Sequence, residues 1–377
     1  MSKSPHILIF IDWFLPGFKA GGPIRSIAHL TEQLPLKFSI VTSIFDHHSS
    51  EPYPNITAGE WVQHSPNVRV LYLHPEQCTI GRYRDVIQEC SPSKIYLNSL
   101  FSLPFALKPL LAAKKEKCLE KVILAPRGML KSGALKVKGA KKKLFLFLSR
   151  CLGLFNGIEW HATNAQEKEE IVQHFGQKQN VHVAANLAAA PQSMLQLQER
   201  NDVLKLCTVA RVSEEKNLLG GLHLLIDSNV KAEWNIYGVT QNQEYVDLLI
   251  SLAENHDRIE LNLHGEINPN DLSEALKSGH FFYLPTLGEN YGHSIVESFM
   301  HGIPVIISNK TPWNKLEEKN CGWDLDLSSN DWSKVFQRAS SMQDSNYSDM
   351  RNAAHEYGKS ISKDEKARQA YMAIFGN

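Results

Sequence analysis

The sequence lacks the cysteine and histidine spacing of a metal site. The six cysteines lie at positions 78, 90, 118, 151, 207 and 321, with no CxxC pair, and no histidine cluster completes a zinc pattern. We therefore expect the thiols to be small buried side chains in a reducing compartment. We predict no bound metal ion and no other cofactor.

The sequence also has no excess of one charge and no long apolar run. Forty basic residues balance forty acidic residues, so nucleic acid is not an expected partner. No apolar stretch approaches the roughly 18 residues that span a bilayer. Asp12 interrupts the N-terminal stretch HILIFIDWFLPGF, and no A-x-A-like cleavage site follows it. We interpret this stretch as a strand and expect a cytoplasmic protein.

Short apolar runs alternate with amphipathic stretches along almost the whole chain, and the length of 377 residues predicts two domains. Apolar strands separated by helices predict parallel sheets that are covered on both faces. The predicted strands are His6–Ile11, Phe38–Ser43, Val68–Leu73, Lys94–Leu97, Lys121–Ala125, Gly157–His161, Leu204–Ala210, Glu233–Tyr237, Ile259–Leu263, Phe281–Leu284 and Pro304–Ser308. The predicted helices include Ile24–Gln33, Gln243–Glu254, Asn270–Lys277 and Ser362–Phe375. The segment Ala184–Asp202 has no clear strand pattern, which places the domain junction there.

One basic segment departs from the overall neutrality. Lys131–Leu148 holds Lys136, Lys138 and the run Lys141–Lys143, and alternating leucine and phenylalanine residues follow them. Such a segment can rest in the interface of an anionic membrane. It can equally be a solvated helix face that leads into a core helix.

The segment TLGENYGHSIVESFMHGIP carries the strongest chemical signal. It follows the apolar run FFYLP and predicts a loop and then a helix that begins near Gly292. Glu289 in the loop and Glu297 in the helix could accept hydrogen bonds from the hydroxyls of one ligand. The helix N-terminus, with the amides of Gly292, His293, Ser294 and Ile295, could bind a phosphate. Surface glutamates around an ordinary strand–loop–helix unit are the alternative.

A pair of cations follows another predicted strand. Arg211 and Lys216 come directly after Leu204–Ala210, and ligands bind at the carboxyl ends of parallel strands. Cations at that edge could neutralise a diphosphate as charge develops on it. The alternative is a surface loop in which Arg211 pairs with Glu214 or Glu215.

Four weaker signals also follow predicted strands. Gly21 and Gly22 allow close backbone approach of a ligand or simply form a tight turn. Arg127, in APRGML, could contact phosphate or hold its loop. His161 follows a strand, where histidine is more often a structural hydrogen-bonding group than a catalyst. Gly265 and Glu266 form a loop after Ile259–Leu263. The fingerprint GxGxxG is absent, which disfavours a dehydrogenase.

The segment PTLGENYGHSIVESFMHGIPVIISNKTPW resembles the donor site of family 4 glycosyltransferases, especially bacterial enzymes that build lipopolysaccharide, O-antigen or capsule. The resemblance implies that Glu297 binds the donor ribose and that Glu289 meets hydroxyls of the transferred sugar. It implies that Arg211 and Lys216, matching an R-x4-K element, contact the donor diphosphate. Asn290, Tyr291, Gly292, His293 and Ser294 complete the donor loop, while Gly21, Gly22, Arg127, Gly265 and Glu266 match other donor-binding segments. Some members have a histidine near the position of Arg127.

The resemblance implies the GT-B fold, in which two Rossmann-like α/β domains with parallel sheets face each other across a cleft. We expect an acceptor domain at 1–185 and a donor domain at 186–360, with a C-terminal helix at 361–377 packed on the first domain. The expected activity is that of a retaining, metal-independent hexosyltransferase, which moves sugar from a nucleoside-diphosphate-sugar to a glycan or lipid-linked acceptor. A nucleotide-sugar epimerase and a non-catalytic sugar-nucleotide-binding protein are alternatives.

Overall fold

The computed structural model of the chain describes residues 4–131, 135, 139–197, 199–240 and 242–376. The chain divides into two compact units. The first consists of Met1–Leu187 with Asp364–Asn377, and the second consists of Ala188–Lys363. The observed junctions therefore lie two and three residues beyond the predicted limits of 185 and 360.

The described residues of the first unit form an eight-stranded sheet with the order β3-β4-β2-β1-β5-β6-β7-β8. The strands are β1 His6–Phe10, β2 Lys37–Ser43, β3 Trp61–Ser65, β4 Val68–Leu73, β5 Lys94–Leu97, β6 Val122–Leu124, β7 Glu159–Ala162 and β8 Asn180–Val183. The helices are α1 Gly22–Gln33, α2 Ile80–Cys90, α3 Lys108–Lys115, α4 Gly139–Cys151 and α5 Ala165–Phe175, and α12 Glu365–Gly376 returns from the C-terminus.

The first sheet is parallel, as predicted, except at one edge. The edge strand β3 runs antiparallel to β4, whereas the other pairs are parallel. The sequence pattern missed β3 and β8 because both are edge strands with mostly polar or partly exposed residues. An edge strand needs no continuous apolar run.

The second unit has a six-stranded parallel sheet with the order β11-β10-β9-β12-β13-β14. The strands are β9 Leu204–Val209, β10 Ala232–Tyr237, β11 Ile259–Gly265, β12 Phe281–Leu284, β13 Val305–Ser308 and β14 Gly322–Leu325. The helices are α6 Leu218–Asp227, α7 Gln243–Glu254, α8 Leu272–Lys277, α9 His293–Met300, α10 Asp331–Ser340 and α11 Asp344–Ser362. The edge strand β14 was not predicted from the sequence.

Both sheets are buried on both faces, as the apolar runs predicted. In β1, Leu8 and Phe10 enter one hydrophobic core, and Ile7 and Ile9 enter the other. In β9, Leu206 and Cys207 divide in the same way between two cores of the second unit. This alternation is the period of two that a strand imposes on its side chains.

The C-terminal helices differ from the single predicted helix Ser362–Phe375. Helix α11 continues to Ser362, and α12 begins at Glu365. The Asp364 carboxylate accepts hydrogen bonds from the amides of Lys366 and Ala367, which starts a new helix at this point. In α12, Tyr371 and Phe375 pack into a core of the first unit.

Each sheet contains one point at which the order of its strands reverses. In the first unit this point lies between β1 and β5, and in the second unit it lies between β9 and β12. In open α/β sheets, ligands bind outside the carboxyl ends of the strands at such points. The topology therefore marks the loops after β1, β5, β9 and β12.

The close approach of two loops predicts a strict requirement for glycine at position 238. A Cβ atom on Gly238 would lie 1.8 Å from the carbonyl oxygen of Ala210. Gly238→Ala should therefore lower the free energy of unfolding by about 2 kcal/mol or more, measured by urea denaturation. Gly139→Ala is the control because a Cβ there meets no atom of the described residues within 4 Å. Equal stability of the two variants would contradict this packing.

Candidate functional site

The loops after β9 and β12 are hydrogen-bonded together at the reversal point of the second sheet. The carbonyl oxygen of Glu215 accepts from the amide of Leu287 at 2.9 Å and from the hydroxyl of Thr286 at 3.2 Å. The Asn217 side-chain amide donates to the carbonyl of Pro285 at 3.0 Å. These bonds hold the short turn Glu214–Lys216 against the segment that carries Glu289.

An ion pair between Lys216 and Glu289 lies at this point. The Lys216 Nζ is 2.6 Å from Glu289 Oε1, and the two side chains are only 11% and 14% exposed. Such a pair differs from a solvated surface pair because both charges have lost most of their water. An ammonium has three donors and a carboxylate about four acceptor positions, so each group could bind a ligand without leaving the other.

Arg211 is more open to solvent than this pair. Its guanidinium lies 3.4 Å from Glu215 Oε2, and the two side chains are 38% and 57% exposed. The sequence analysis offered an ion pair of Arg211 with Glu214 or Glu215 as one alternative, and the structure shows the pair with Glu215. Because Glu215 also holds the loop of Thr286 and Leu287, Arg211 belongs to the same local structure as Lys216 and Glu289.

The loop after β12 leads into α9, which begins at His293. Gly292 has φ of +78°, and a Cβ there would lie 2.8 Å from Ile295 Cδ1, so glycine fits this position. His293 and Glu297 are each 8% exposed. Glu297 stands one turn into α9, as predicted. The contacts described for the chain do not join Glu297 directly to Lys216.

Other predicted donor-loop residues occupy the same segment. Asn290 and Tyr291 precede α9, and the indole of Trp313 donates to the Tyr291 carbonyl at 2.5 Å. Ser294 lies in the first turn, where its carbonyl accepts from the Ser298 hydroxyl. The amide of Ile295 donates to the Gly292 carbonyl at 3.1 Å, which corrects the expectation that this amide faces a ligand.

Gly265 and Glu266 lie two strands away from β9. Gly265 is the last residue of β11, not part of a loop as expected, and it has φ of +75°. Its carbonyl accepts from the amide of Gly238 at 2.7 Å. The rings of Tyr237 and His264 stack beside it, 4.3 Å apart and nearly parallel. Glu266 is exposed.

Gly21 and Gly22 lie where the loop after β1 enters α1. Gly21 has φ of +66°, and a Cβ on it would meet no atom of the described part of the chain within 4 Å, so its backbone borders open space there. The Asp46 carboxylate holds the preceding turn by accepting from the amides of Phe18 and Lys19. The segment is therefore a fixed turn with one accessible side.

Arg127 and His161 belong to one buried network. Arg127 donates to the Asn98 side-chain oxygen, to Asn186 and to the hydroxyl of Tyr96. That hydroxyl lies 2.5 Å from His161 Nδ1, and His161 Nε2 lies 2.9 Å from the carbonyl of Ala184. These partners fit a tautomer with the proton on Nε2. The geometry favours the structural alternative for both residues.

His161 lies inside β7, in agreement with the predicted strand Gly157–His161, and not in the loop beyond the strand where a ligand-contacting role was expected. Burial, together with the nearby charge of Arg127, lowers the pKa of His161 to about 3. The imidazole is therefore neutral at physiological pH, with both nitrogens engaged. Neither property suits a general base that must reach a substrate.

The reversal point of the first sheet holds residues that the sequence reasoning missed. The Ser102 hydroxyl, after β5, donates to Asp12 Oδ1, after β1, at 2.5 Å. Burial raises the pKa of the Asp12 carboxyl. The sequence signal for this pair is the Asp12 carboxylate, which comes directly after the first apolar strand. In the sequence, Asp12 was interpreted only as an interruption of the apolar stretch.

Glu167 follows His161 by six residues in the sequence. In the structure it is fully buried and accepts from the amides of Gly128 and Thr163 and from the hydroxyl of Thr163. It therefore joins the loops after β6 and β7.

The described part of the chain contains no group of three or more His, Cys, Asp or Glu side chains that could hold a metal ion. None of the described helices is both long and apolar enough to cross a bilayer.

Comparisons with known proteins agree on the fold. Residues 191–356 match the family model of Glycosyl transferases group 1. Sucrose-phosphate synthase from Thermosynechococcus elongatus is 12% identical, with 99% of this chain and 100% of that chain covered at a TM-score of 0.68. Anabaena HepE in complex with UDP-glucose is 13% identical, with 99% of this chain and 100% of that chain covered at a TM-score of 0.66. No curated protein matches the sequence.

The structure of WaaG, a glycosyltransferase involved in lipopolysaccharide biosynthesis, is also similar, with 12% identity, 98% and 100% coverage and a TM-score of 0.62. At these identities the likeness establishes the fold, which is that of the GT-B glycosyltransferases. The family match covers the segment that contains Arg211, Lys216, Glu289 and Glu297.

The buried state of His161 predicts a specific loss of stability in acid. Its folded pKa is below its unfolded value near 6.5, so the unfolded chain takes up the proton first as pH falls. The contribution of the neutral, buried His161 to the free energy of unfolding is complete above pH 6.5 and is lost as the pH falls towards about 3. Between pH 7.5 and 5 the wild type should lose about 2 kcal/mol that His161→Gln does not lose.

Urea denaturation of both proteins across this range measures the difference. His29, whose pKa burial lowers to about 4, titrates in the same window but is present in both proteins and cancels. Parallel pH profiles of wild type and variant would contradict a neutral buried His161.

Proposed function

We propose that the protein is a nucleotide-sugar glycosyltransferase that transfers a hexose, with retention of configuration, to a hydroxyl of a glycan or lipid-linked acceptor. The observation that carries the proposal is the Lys216–Glu289 ion pair at the reversal point of the second sheet. A cation and a hydroxyl acceptor side by side at this point support binding of a phosphorylated sugar.

The donor assignment follows from the chemistry of each group. The Lys216 ammonium and the Arg211 guanidinium bind the diphosphate and stabilise its charge as it leaves. Glu289, hydrogen-bonded to Lys216, accepts from hydroxyls of the transferred sugar. Glu297, on α9, accepts from the ribose hydroxyls. The backbone around Gly265 and Glu266 contacts the base.

The transfer forms one bond and breaks one bond. The acceptor oxygen bonds to the anomeric carbon, and the bond from that carbon to the diphosphate oxygen breaks. The electron pair of the broken bond stays on the diphosphate, which also takes up the acceptor proton. Attack from the face that the diphosphate leaves retains the configuration, so no carboxylate nucleophile is required. Lys216 and Arg211 supply the compensating charge without a metal ion.

The first unit is proposed to bind the acceptor. Asp12 and Ser102 lie at its own reversal point, where a ligand is expected, and a carboxylate there can accept from a sugar hydroxyl. Gly21 lies after the same strand and borders open space. Asp12 is therefore the proposed acceptor-binding group, while Arg127 and His161 support the surrounding loops.

The biological setting is also a proposal. The family 4 resemblance and the structural likeness to WaaG support a role in lipopolysaccharide, O-antigen or capsule biosynthesis on the cytoplasmic side of the membrane. An epimerase would convert the donor without an acceptor, and a binding protein would hold the donor without converting it. Incubation of donor alone, followed by identification of the sugar, separates both from a transferase.

The donor site predicts the response of thermal stability to nucleotide sugars. In a panel of UDP-, GDP-, ADP- and dTDP-sugars without added metal, one class should raise the melting temperature by several degrees, because a ligand at a hundredfold excess over its Kd adds about 2.7 kcal/mol. Lys216→Met and Glu297→Gln should each lose most of this increase and lower transfer at least about tenfold.

Glu318→Gln is the matched control because that carboxylate is 71% exposed and pairs with the exposed Lys315 rather than with a proposed site residue. It should respond to the donor like the wild type. If Lys216→Met and Glu297→Gln both kept the full donor-induced increase in melting temperature and the full rate of transfer, the assignment of the donor site would be wrong.

The acceptor assignment predicts a different pattern for Asp12→Asn. Transfer should fall at least about tenfold, because the neutral amide cannot make a charge-assisted hydrogen bond to an acceptor hydroxyl, while the donor-induced increase in melting temperature persists. The exposed Asp85→Asn is the control. Loss of the donor response in Asp12→Asn would place this residue in donor binding and contradict the assignment.

A further inference from the structure

Helix α4 presents large apolar side chains to solvent. Leu144, Phe147, Leu148 and Leu152 are 58%, 64%, 46% and 77% exposed. The first three lie on α4 and Leu152 lies directly after it, and we refer to these four residues as the α4 outer face. Scattered exposed apolar side chains are ordinary, but three on one helix with a fourth directly after it form a contiguous patch.

The spacing shows that the outer face is a single stripe. Positions 144, 147, 148 and 152 follow the i, i+3, i+4 and i+8 pattern of one helix face. The opposite face is already used, because Leu146 and Ser149 are buried and the ring of Phe145 contacts that of Phe101 at 5.6 Å. The outer stripe is therefore additional to the face that folds the unit.

The charge around this stripe is of one sign. From Lys131 to Ile158 the sequence has seven Lys or Arg residues and no Asp or Glu, in a chain whose net charge is zero. Lys141, Lys143 and Arg150 are exposed on α4 itself. Lys136 and Lys138 lie outside the described residues. The alternative of an ordinary solvated face fits poorly, because such a face would be polar.

We propose that the α4 outer face docks the protein on an anionic lipid bilayer, with the helix lying in the plane of the interface. The apolar stripe enters the boundary of the acyl chains, and Lys141, Lys143 and Arg150 contact the phosphate headgroups. With 13 residues, α4 is too short to span the bilayer. A second copy of the chain would bring like charges together, and nucleic acid would leave the apolar stripe without a partner.

The position of α4 also bears on the acceptor, and this step rests on the proposed function. Phe101, which contacts Phe145, belongs to the same loop as Ser102, the hydrogen-bond partner of Asp12. The ammonium of Lys142 also lies over the Phe101 ring, at 5.3 Å. The docking helix is thus adjacent to the proposed acceptor-binding edge. An acceptor that is itself anchored in the bilayer would reach this edge from the membrane surface.

Vesicle flotation of the full chain tests the docking without any transfer assay. The protein should float with vesicles of phosphatidylcholine containing about one third phosphatidylglycerol and not with pure phosphatidylcholine, and NaCl should weaken the binding. The double variant Phe147→Ser, Leu148→Ser and the double variant Lys141→Glu, Lys143→Glu should each reduce the bound fraction at least about tenfold. All four side chains are exposed, so the variants should keep the melting temperature of the wild type.

The chain offers a matched control on α7. Leu248 and Ile250 are 57% and 39% exposed, but α7 contains acidic residues and no Lys or Arg, so Leu248→Ser, Ile250→Ser should bind vesicles like the wild type. No flotation with anionic vesicles, or equal flotation of the α4 variants, would overturn the proposal. A dimer in sedimentation that dissociates in Phe147→Ser, Leu148→Ser, without vesicle binding, would assign the stripe to a second copy instead. Flotation does not depend on sugar transfer. The docking proposal can therefore be refuted while the donor experiments still support the proposed function.

Discussion

The carbonyl group of Glu215 is the contact on which the candidate site depends. It accepts hydrogen bonds from Leu287 and Thr286 and thereby joins the loop after β9 to the loop after β12. These loops are neighbours only because the strand order reverses between β9 and β12. Once they are joined, Lys216 and Glu289 are held in contact although 73 positions separate them in the chain. The topology brings the groups near each other, and the hydrogen bonds fix their geometry.

The Lys216–Glu289 pair also explains how a charged site can exist in a folded protein before a ligand arrives. Two mostly buried charges would each be costly alone, and pairing offsets part of the desolvation penalty. In the proposed function, a nucleoside-diphosphate-sugar would offer phosphates to the cation and hydroxyls to the carboxylate, so each group would gain a partner while the ion pair stays intact. A single lysine at this edge would lack that protection, and a single glutamate would repel the phosphates.

The sequence predicted the features that depend on local pattern. Apolar runs located the central strands, and the residues that follow them located Lys216 and Glu289, because parallel strands end at a common edge. Patterns could not identify β3, β8 and β14, since edge strands tolerate polar residues. They also could not decide between binding and structural roles for Arg127 and His161, because those roles depend on Tyr96, Asn98 and Asn186, which are distant or unremarkable in sequence. For α4, the composition is compatible both with a helix that rests on a membrane and with an ordinary solvated helix face. The exposure of Phe147 and Leu148 is the observation that favours the membrane.

The Arg127 network has a structural task of its own. The chain leaves the first unit at Leu187 and returns to it at Asp364. The network holds both passages, because His161 contacts Ala184, Arg127 contacts Asn186, and the ring of Tyr371 on α12 packs against His161 at 5.1 Å. Directional hydrogen bonds restrict backbone positions more tightly than apolar packing does. They are therefore suited to the place where one segment of the chain leaves the first unit and another returns to it. A polar cluster at a strand end therefore need not be catalytic: both ring nitrogens of His161 are engaged within the fold, as is the guanidinium of Arg127.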